Sequence, residues 1–176
     1  MTLSKLMNEM PNVFTGEVEP KYIDIHLIEL IVKHEDSIRQ VKGDVYVIAL
    51  GKFEVIYLIK KGDNIVGATH LKPTSFCGKS YLQPMISKKF ENKYPNLLLK
   101  LYKQASISLK VPILSDSSQS LDSSTVWRKW FNNPKKYNLK VEIINTKDCK
   151  DKTLYSELDI WGETNKEHML MSIENV

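Results

Sequence analysis

Arginine is nearly absent from this chain of 176 residues: Arg39 and Arg128 are the only two among 25 basic residues. Arginine makes the bidentate contacts that read phosphate and guanine, so its scarcity argues against a sequence-specific DNA-binding protein. The formal net charge of +4 rests instead on lysines that are spread along the chain. The composition therefore counts against nucleic acid as a partner.

Long apolar runs and cysteine motifs are also missing. No stretch approaches the ~20 apolar residues that a membrane-spanning helix needs, and residues 1–13 do not have the pattern of a signal peptide. Cys77 and Cys149 lack metal-binding spacing, and we predict that both are free thiols in a reducing compartment. These absences predict a cytoplasmic protein with no membrane association.

Signatures of metal, nucleotide and nucleophile chemistry are absent as well. The sequence has no Walker loop, dinucleotide glycine fingerprint, Ser-His-Asp order or zinc spacing. His26 and His34 are eight residues apart, so they do not form a metal pair on one helical turn. His70 lies in a strand-rich stretch, where a substrate-side residue could sit. We therefore predict no metal site, and neither phosphoryl transfer nor hydride transfer has support.

The composition itself is that of a globular protein. Apolar residues make up 42% and charged residues 26% of the chain. The length fits one domain over residues 1–176, in which residues 1–20 form an irregular arm because Pro11, Gly16 and Pro20 interrupt any periodicity.

Hydrophobic periodicity predicts the elements of the first half. Apolar residues at three- and four-residue steps predict a helix over Asp24–Val41. Three β-rich runs separated by short turns then predict an antiparallel meander, with strands at Val45–Leu50, Phe53–Ile59 and Ile65–Leu71.

The second half alternates strands with helices. The predicted elements are strand Tyr81–Ile86, helix Leu97–Ser108, strand Val111–Leu114, a helix from Asp122 or Ser123 to Phe131, strand Leu139–Ile144, and a closing hairpin with arms Leu154–Trp161 and Met169–Ile173 around the turn Gly162–Glu167. A strand-helix-strand crossover over residues 81–114 is expected to be right-handed, with its two strands parallel. The predicted fold class is α+β with a mixed α/β sheet: an antiparallel meander followed by a β-α-β-α-β-β unit.

Three stretches within residues 24–173 resemble the GNAT N-acetyltransferase superfamily. Asp63-Asn64-Ile65-Val66-Gly67 resembles a hairpin arm of that family, and the strand and helix at 81–105 are similar to its cofactor-holding pair. The run 114–120 (Leu-Ser-Asp-Ser-Ser-Gln-Ser), followed by Ser124-Thr125-Val126-Trp127, resembles a pattern of small GNAT-like proteins, many of them phage-encoded.

The resemblance implies an acetyl-CoA site. In the family the central strands splay, pantetheine lies along the exposed strand edge, and the pyrophosphate sits at the start of the next helix. The family's phosphate loop is usually rich in glycine, whereas the loop Ser87–Asn96 has none and offers lysines. The residues implied for cofactor binding are Gln83, Met85, Ile86, Lys88, Lys89, Lys93, Tyr94 and Asn96.

The resemblance also indicates candidate catalytic residues: Asp116 as an orienting or proton-accepting carboxylate, Ser115 as a hydrogen-bond donor, and Tyr137 or Tyr102 as an acid. Each has a structural alternative. Asp116 and Ser115 suit a polar turn, and the tyrosines suit a core. Trp127 and Trp130 share a helical face, and we interpret them as packing residues.

Three functions follow. The first is an acetyl-CoA-dependent N-acetyltransferase, in which a small-molecule or protein amine attacks the thioester directly. The second is a catalytically inactive GNAT-like protein that works by protein binding, for example a phage-encoded inhibitor or modulator of a host factor. The third is nucleic-acid binding through lysines and stacked tryptophans, against which the composition argues.

Overall fold

The computed structural model describes residues 20–115, 121–145, 149 and 169–175. Over these residues the fold is α+β, with three helices and an eight-stranded, mostly antiparallel sheet. The elements in chain order are α1 (Pro20–Lys33), β1 (Arg39–Lys42), β2 (Val45–Leu50), β3 (Glu54–Lys61), β4 (Asn64–Phe76), β5 (Lys79–Lys89), α2 (Leu97–Leu109), β6 (Ile113–Leu114), α3 (Leu121–Asn132), β7 (Leu139–Asn145) and β8 (Met169–Asn175), with short 3-10 helices at Glu35–Ser37 and Lys135–Tyr137.

The predicted meander is confirmed. β2 pairs with β3, and β3 with β4, in antiparallel register. Gly51 and Gly62 occupy the two turns with positive φ, a backbone region that glycine enters without steric cost. The order strand, helix, strand, helix, strand, strand after the meander is also present.

The predicted first helix was too long. It ends at Lys33, and residues 39–41, which the sequence placed on the helix, belong to the edge strand β1, which pairs with β2. Gly43 has a φ of +57°, which lets the chain fold back tightly between these two strands. Ile38 packs against the core, as its apolar side chain indicated, but it does not lie in a helix.

The chain forms two compact units that alternate along the sequence. Unit 1 comprises Met1–Lys72 and Met85–Gln104, and unit 2 comprises Pro73–Pro84 and Ala105–Val176. Each unit has a core of its own. The expectation of one domain over residues 1–176 stays a prediction.

Unit 1 is built on β1 to β3 and β4 up to Lys72, with α1 packed against them. Leu27 and Ile31 of α1 join a cluster of fully buried residues from the strands. Burying an aliphatic side chain of this size contributes roughly 1.5–3 kcal/mol, so this apolar face fixes α1 on the sheet. The strand members of the cluster are Ile48, Ile56, Leu58, Ile65 and Ala68.

Unit 2 contains the parallel strand pair. Leu82 of β5 pairs with Ile113 of β6, which confirms the predicted parallel direction. β8 pairs antiparallel with both β6 and β7. The other predicted arm, Leu154–Trp161, and the turn Gly162–Glu167 lie outside the described residues. The Trp127 and Trp130 side chains are buried and meet edge to face at 5.4 Å, as expected of packing residues.

The prediction of two free thiols was wrong. Cys77 and Cys149 form a disulfide within unit 2, with their Cα atoms 5.4 Å apart. They are 72 positions apart in sequence, so no local spacing could indicate the bond. Disulfides persist in oxidising surroundings, so the thiols no longer support a reducing compartment, and a cytoplasmic location stays a prediction.

The longest described helix, α1, has 14 residues, and no helix of the described part is long and apolar enough to cross a membrane. The same residues contain no group of three His, Cys, Asp or Glu side chains that could hold a metal ion.

Candidate functional site

The first half of β5, in unit 2, pairs with β6 along a very short stretch of backbone. The ladder between the two strands has a single residue pair, Leu82 with Ile113, and the Leu82 N–H donates to the Pro112 carbonyl at 2.9 Å. One residue further, the Gln83 side-chain Nε2 donates to the Ser115 carbonyl at 3.0 Å. The structure thus brings together two predicted site residues, Gln83 and Ser115, the latter fully buried.

The second half of β5 lies in unit 1 and carries two more of the predicted residues. Met85 is 54% exposed, which is unusual for a large apolar side chain in a sheet strand. Ile86 is half-buried and packs against the core of unit 1. Lys88 is half-buried, and Lys89, which ends the strand, is exposed. The predicted loop start at Ser87 was therefore too early, because the strand continues to Lys89.

A chain of hydroxyl groups ties this half of β5 to β4 and α2. The hydroxyl oxygens of Tyr102 and Ser87 lie 2.7 Å apart, and those of Ser87 and Thr69 are also separated by 2.7 Å. The Thr69 hydroxyl donates to the Ile86 carbonyl at 3.3 Å. Because a carbonyl only accepts, this last bond directs the Thr69 proton toward β5. Burial raises the pKa of Tyr102 to about 12. Tyr102 therefore stays protonated at neutral pH and holds the strand in place.

The loop between β5 and α2 turns sharply without glycine. Its first residue, Phe90, donates its N–H to the Val66 carbonyl at 2.9 Å. Its last residue, Asn96, has a φ of 56°, a left-handed conformation that asparagine tolerates better than most residues. The Asn96 carbonyl accepts the first intrahelical bond of α2, from Lys100 at 3.0 Å. Asn96 thus supplies a conformation for which glycine is the usual choice.

Lysines surround the aromatic ring in this loop. The Nζ atoms of Lys93 and Lys61 lie 5.0 and 5.6 Å from the centre of the Tyr94 ring, within cation–π range. Lys93 also pairs with Glu91 at 3.0 Å, and this hydrogen bond is the main cause that raises the pKa of Lys93. The ammonium groups of Lys93 and Lys61 therefore both lie beside the ring of Tyr94.

Asp44, in the β1–β2 turn, holds two lysines of this region. Its carboxylate accepts hydrogen bonds of 2.5 Å from Lys61 of β3 and from Lys100 of α2. Sequence reasoning missed all three residues, since Asp44 and Lys100 are 56 positions apart and neither belongs to a motif. The available signal was the Lys60-Lys61 pair, which the sequence placed in a turn and which lies at the end of β3.

Removal of the Asp44 charge is expected to reduce the loss of stability in acid. Burial, the largest single influence, raises the pKa of Asp44, but the Lys100 and Lys61 contacts together outweigh it and the net pKa is lowered. A carboxyl with a lowered folded pKa stabilises the protein above its ordinary value of 3.8, and this contribution is lost as the pH falls through the folded pKa. We expect Asp44→Asn to have a lower Tm than the wild type at pH 7 and a smaller drop in Tm between pH 7 and pH 3. Thermal unfolding at both values measures this.

Asp63→Asn, in the exposed β3–β4 turn, is the matched control for loss of one negative charge. An acid-induced drop in Tm that is as large in Asp44→Asn as in Asp63→Asn would show that the two lysine contacts do not stabilise the fold.

The remaining predicted residues are dispersed. Tyr137 is half-buried in the 3-10 helix before β7, where Lys129 and Lys136 lie 5.9 and 5.8 Å from its ring. Asp116 lies outside the described residues, so its role stays a prediction.

His70 of β4 is 6% exposed, and its Nε2 lies 2.9 Å from a carboxylate oxygen of Glu54. Its Nδ1 is buried with no hydrogen-bond partner in the described part of the chain.

Comparison with known proteins adds no relative: no protein-family model matches the chain, and no curated protein matches it.

Proposed function

We propose that this chain is a GNAT-like, acetyl-CoA-dependent N-acetyltransferase that acts on a small-molecule or protein amine. The observation that supports the proposal best is the parallel pairing of β5 with β6. The pairings β1–β2, β2–β3, β3–β4, β6–β8 and β7–β8 are all antiparallel. One parallel pair, with a helix between its strands, is the arrangement that the family resemblance implies.

The unequal length of the two parallel strands favours an extended ligand. β6 ends at Leu114, whereas β5 continues from Leu82 to Lys89. A strand that outruns its neighbour leaves backbone donors and acceptors for an added strand or a strand-like ligand. Pantetheine is such a ligand, because it carries two amide groups along an extended chain. The exposed Met85 side chain would give it an apolar contact.

The loop after β5 has features that fit a diphosphate. The start of α2 offers backbone N–H groups and the positive end of the helix dipole. Lys93 and Lys61 add positive charge beside Tyr94. Asn96 supplies the left-handed turn that brings the chain into the helix. These residues of unit 1 would hold acetyl-CoA, which supplies the activated acyl thioester.

Acetyl-CoA titration by calorimetry tests the proposal. We expect binding to weaken by about five- to ten-fold in the Lys61→Ala and Lys93→Ala double variant, a loss of about 1–1.4 kcal/mol. The physical reason is the loss of two cations that oppose phosphate charge, with part of their effect screened by solvent. Lys52→Ala, in the exposed β2–β3 turn, is the control for loss of charge away from the loop and should bind as the wild type does. Absence of binding at millimolar acetyl-CoA would remove the enzyme proposal.

A binding protein without catalysis is the second candidate. It is favoured by the ion pairs that the lysines already make, Lys93 with Glu91 and Lys61 with Asp44. A diphosphate would have to compete with these carboxylates for the same cations. The titration and an activity assay bear on this candidate together, because tight acetyl-CoA binding or turnover of any amine would count against a protein that works by binding alone.

A further inference from the structure

The disulfide of unit 2 ties the tip of a hairpin to the chain beyond β7. Cys77 is the first residue of the two-residue turn between β4 and β5, and Cys149 follows β7, which ends at Asn145. Both residues are exposed. Exposed disulfides are the ones that reducing thiols can reach, whereas structural ones are usually enclosed.

Both cysteines occupy backbone positions that disfavour them. Cys77 has a φ of 54° and the following Gly78 a φ of 74°, and a type I′ hairpin turn requires such a pair of positive values. Cys149 also has a φ of 54°. Glycine enters this region freely and asparagine is tolerated there, but cysteine has neither advantage. The backbone conformation therefore does not account for a cysteine at either position, whereas the disulfide does.

The residues on either side of the hairpin tip, which comprises residues 77–80, are packed. Phe76 and Tyr81 contact Leu114 and Ile144 in the core of unit 2. Within the tip, Lys79 pairs with Glu142 of β7 at 3.5 Å, and both side chains are more than a third exposed. An exposed ion pair of this kind contributes little to stability. Opening the disulfide would therefore release the tip, residues 77–80, while Phe76 and Tyr81 stay packed.

We propose that Cys77–Cys149 is a reversible crosslink that a dithiol reductant opens in the folded protein, which releases the tip of the β4–β5 hairpin. A reductant thiolate attacks one sulfur, the S–S bond breaks and a mixed disulfide forms. The second thiol of the reductant then displaces the protein sulfur. The products are two protein thiols and the oxidised reductant, so two electrons pass from the dithiol to the cystine.

The experiment treats the folded full chain with dithiothreitol in the absence of denaturant and traps free thiols with iodoacetamide. Mass spectrometry should find both cysteines alkylated while the far-UV circular dichroism is unchanged. Amide exchange of the hairpin tip, residues 77–80, should become about ten-fold faster or more, since its opening would no longer require the crosslink to break. Exchange in β2 and β3 of unit 1 should be unchanged.

The Cys77→Ser and Cys149→Ser double variant is the matched control. Its tip should exchange at the rate of the reduced wild type and should not respond to dithiothreitol. The proposal is overturned if alkylation requires denaturant, if alkylation occurs only together with loss of the circular dichroism signal, or if exchange of the tip is the same in oxidised and reduced protein.

Discussion

Replacing Leu58 by alanine is expected to lower the free energy of unfolding by about 2–5 kcal/mol. Leu58 lies in the middle of β3, is fully buried, and belongs to the cluster on which α1 packs. Removal of three carbon atoms there loses transfer free energy and leaves a cavity that tightly packed neighbours cannot fill. Urea denaturation followed by circular dichroism measures the change.

The control for Leu58→Ala is Ile107→Ala on α2, where the side chain is 51% exposed. Its effect is expected to stay within about 0.5 kcal/mol, because little apolar surface returns to water. A cost below about 1 kcal/mol for Leu58→Ala would show that β3 does not lie at the centre of this core.

Replacing Gly67 by valine is expected to cost about 1–3 kcal/mol of stability, because it overpacks the space between β4 and α2. A Cβ atom at this position would lie 3.4 Å from the Lys88 carbonyl oxygen and 3.5 Å from a methyl carbon of Leu97. Valine adds two further carbon atoms to a Cβ that these neighbours already contact. The expected consequence is displacement of the end of β5 and the start of α2, and hence weaker acetyl-CoA binding under the proposed function.

Gly67→Ala separates close packing from other effects of the substitution. Its single Cβ makes contacts at ordinary van der Waals distance, so its cost should stay below about 1 kcal/mol. Urea denaturation and calorimetry on both variants test the prediction. Equal stability and equal acetyl-CoA affinity for the alanine and valine variants would contradict a role of Gly67 in this close approach.

Periodicity correctly predicted the elements whose apolar pattern suits only a strand or only a helix. The strands β2 to β4 and the helix α2 follow from alternation and from three- and four-residue steps, respectively. β1 was mistaken for helix because Ile38 and Val41 are three residues apart, which also suits a helical face. The pairing with β2 decides the conformation there, and a pairing partner is not visible in a local pattern.

The candidate site was predictable only where its residues follow one another in sequence. The loop lysines and Tyr94 could be named because they lie between a predicted strand and a predicted helix. Asp44 and Lys61 reach the same region through folding alone, from a turn and a strand far away in sequence. The loop contains no glycine, so its composition gave no sign of a residue in the left-handed conformation. Asn96 adopts that conformation, which only the backbone geometry reveals.

The position of β8 constrains the order in which the protein can assemble. β8 lies between β6 and β7, and in the described part of the chain these two strands join the same sheet through residues 169–175. During synthesis, β6 and β7 leave the ribosome before β8, the strand that pairs with both of them. The described part of unit 2 can therefore finish folding only after β8 has left the exit tunnel, and until then the edges of β6 and β7 that β8 covers are open to a chaperone or another nascent chain.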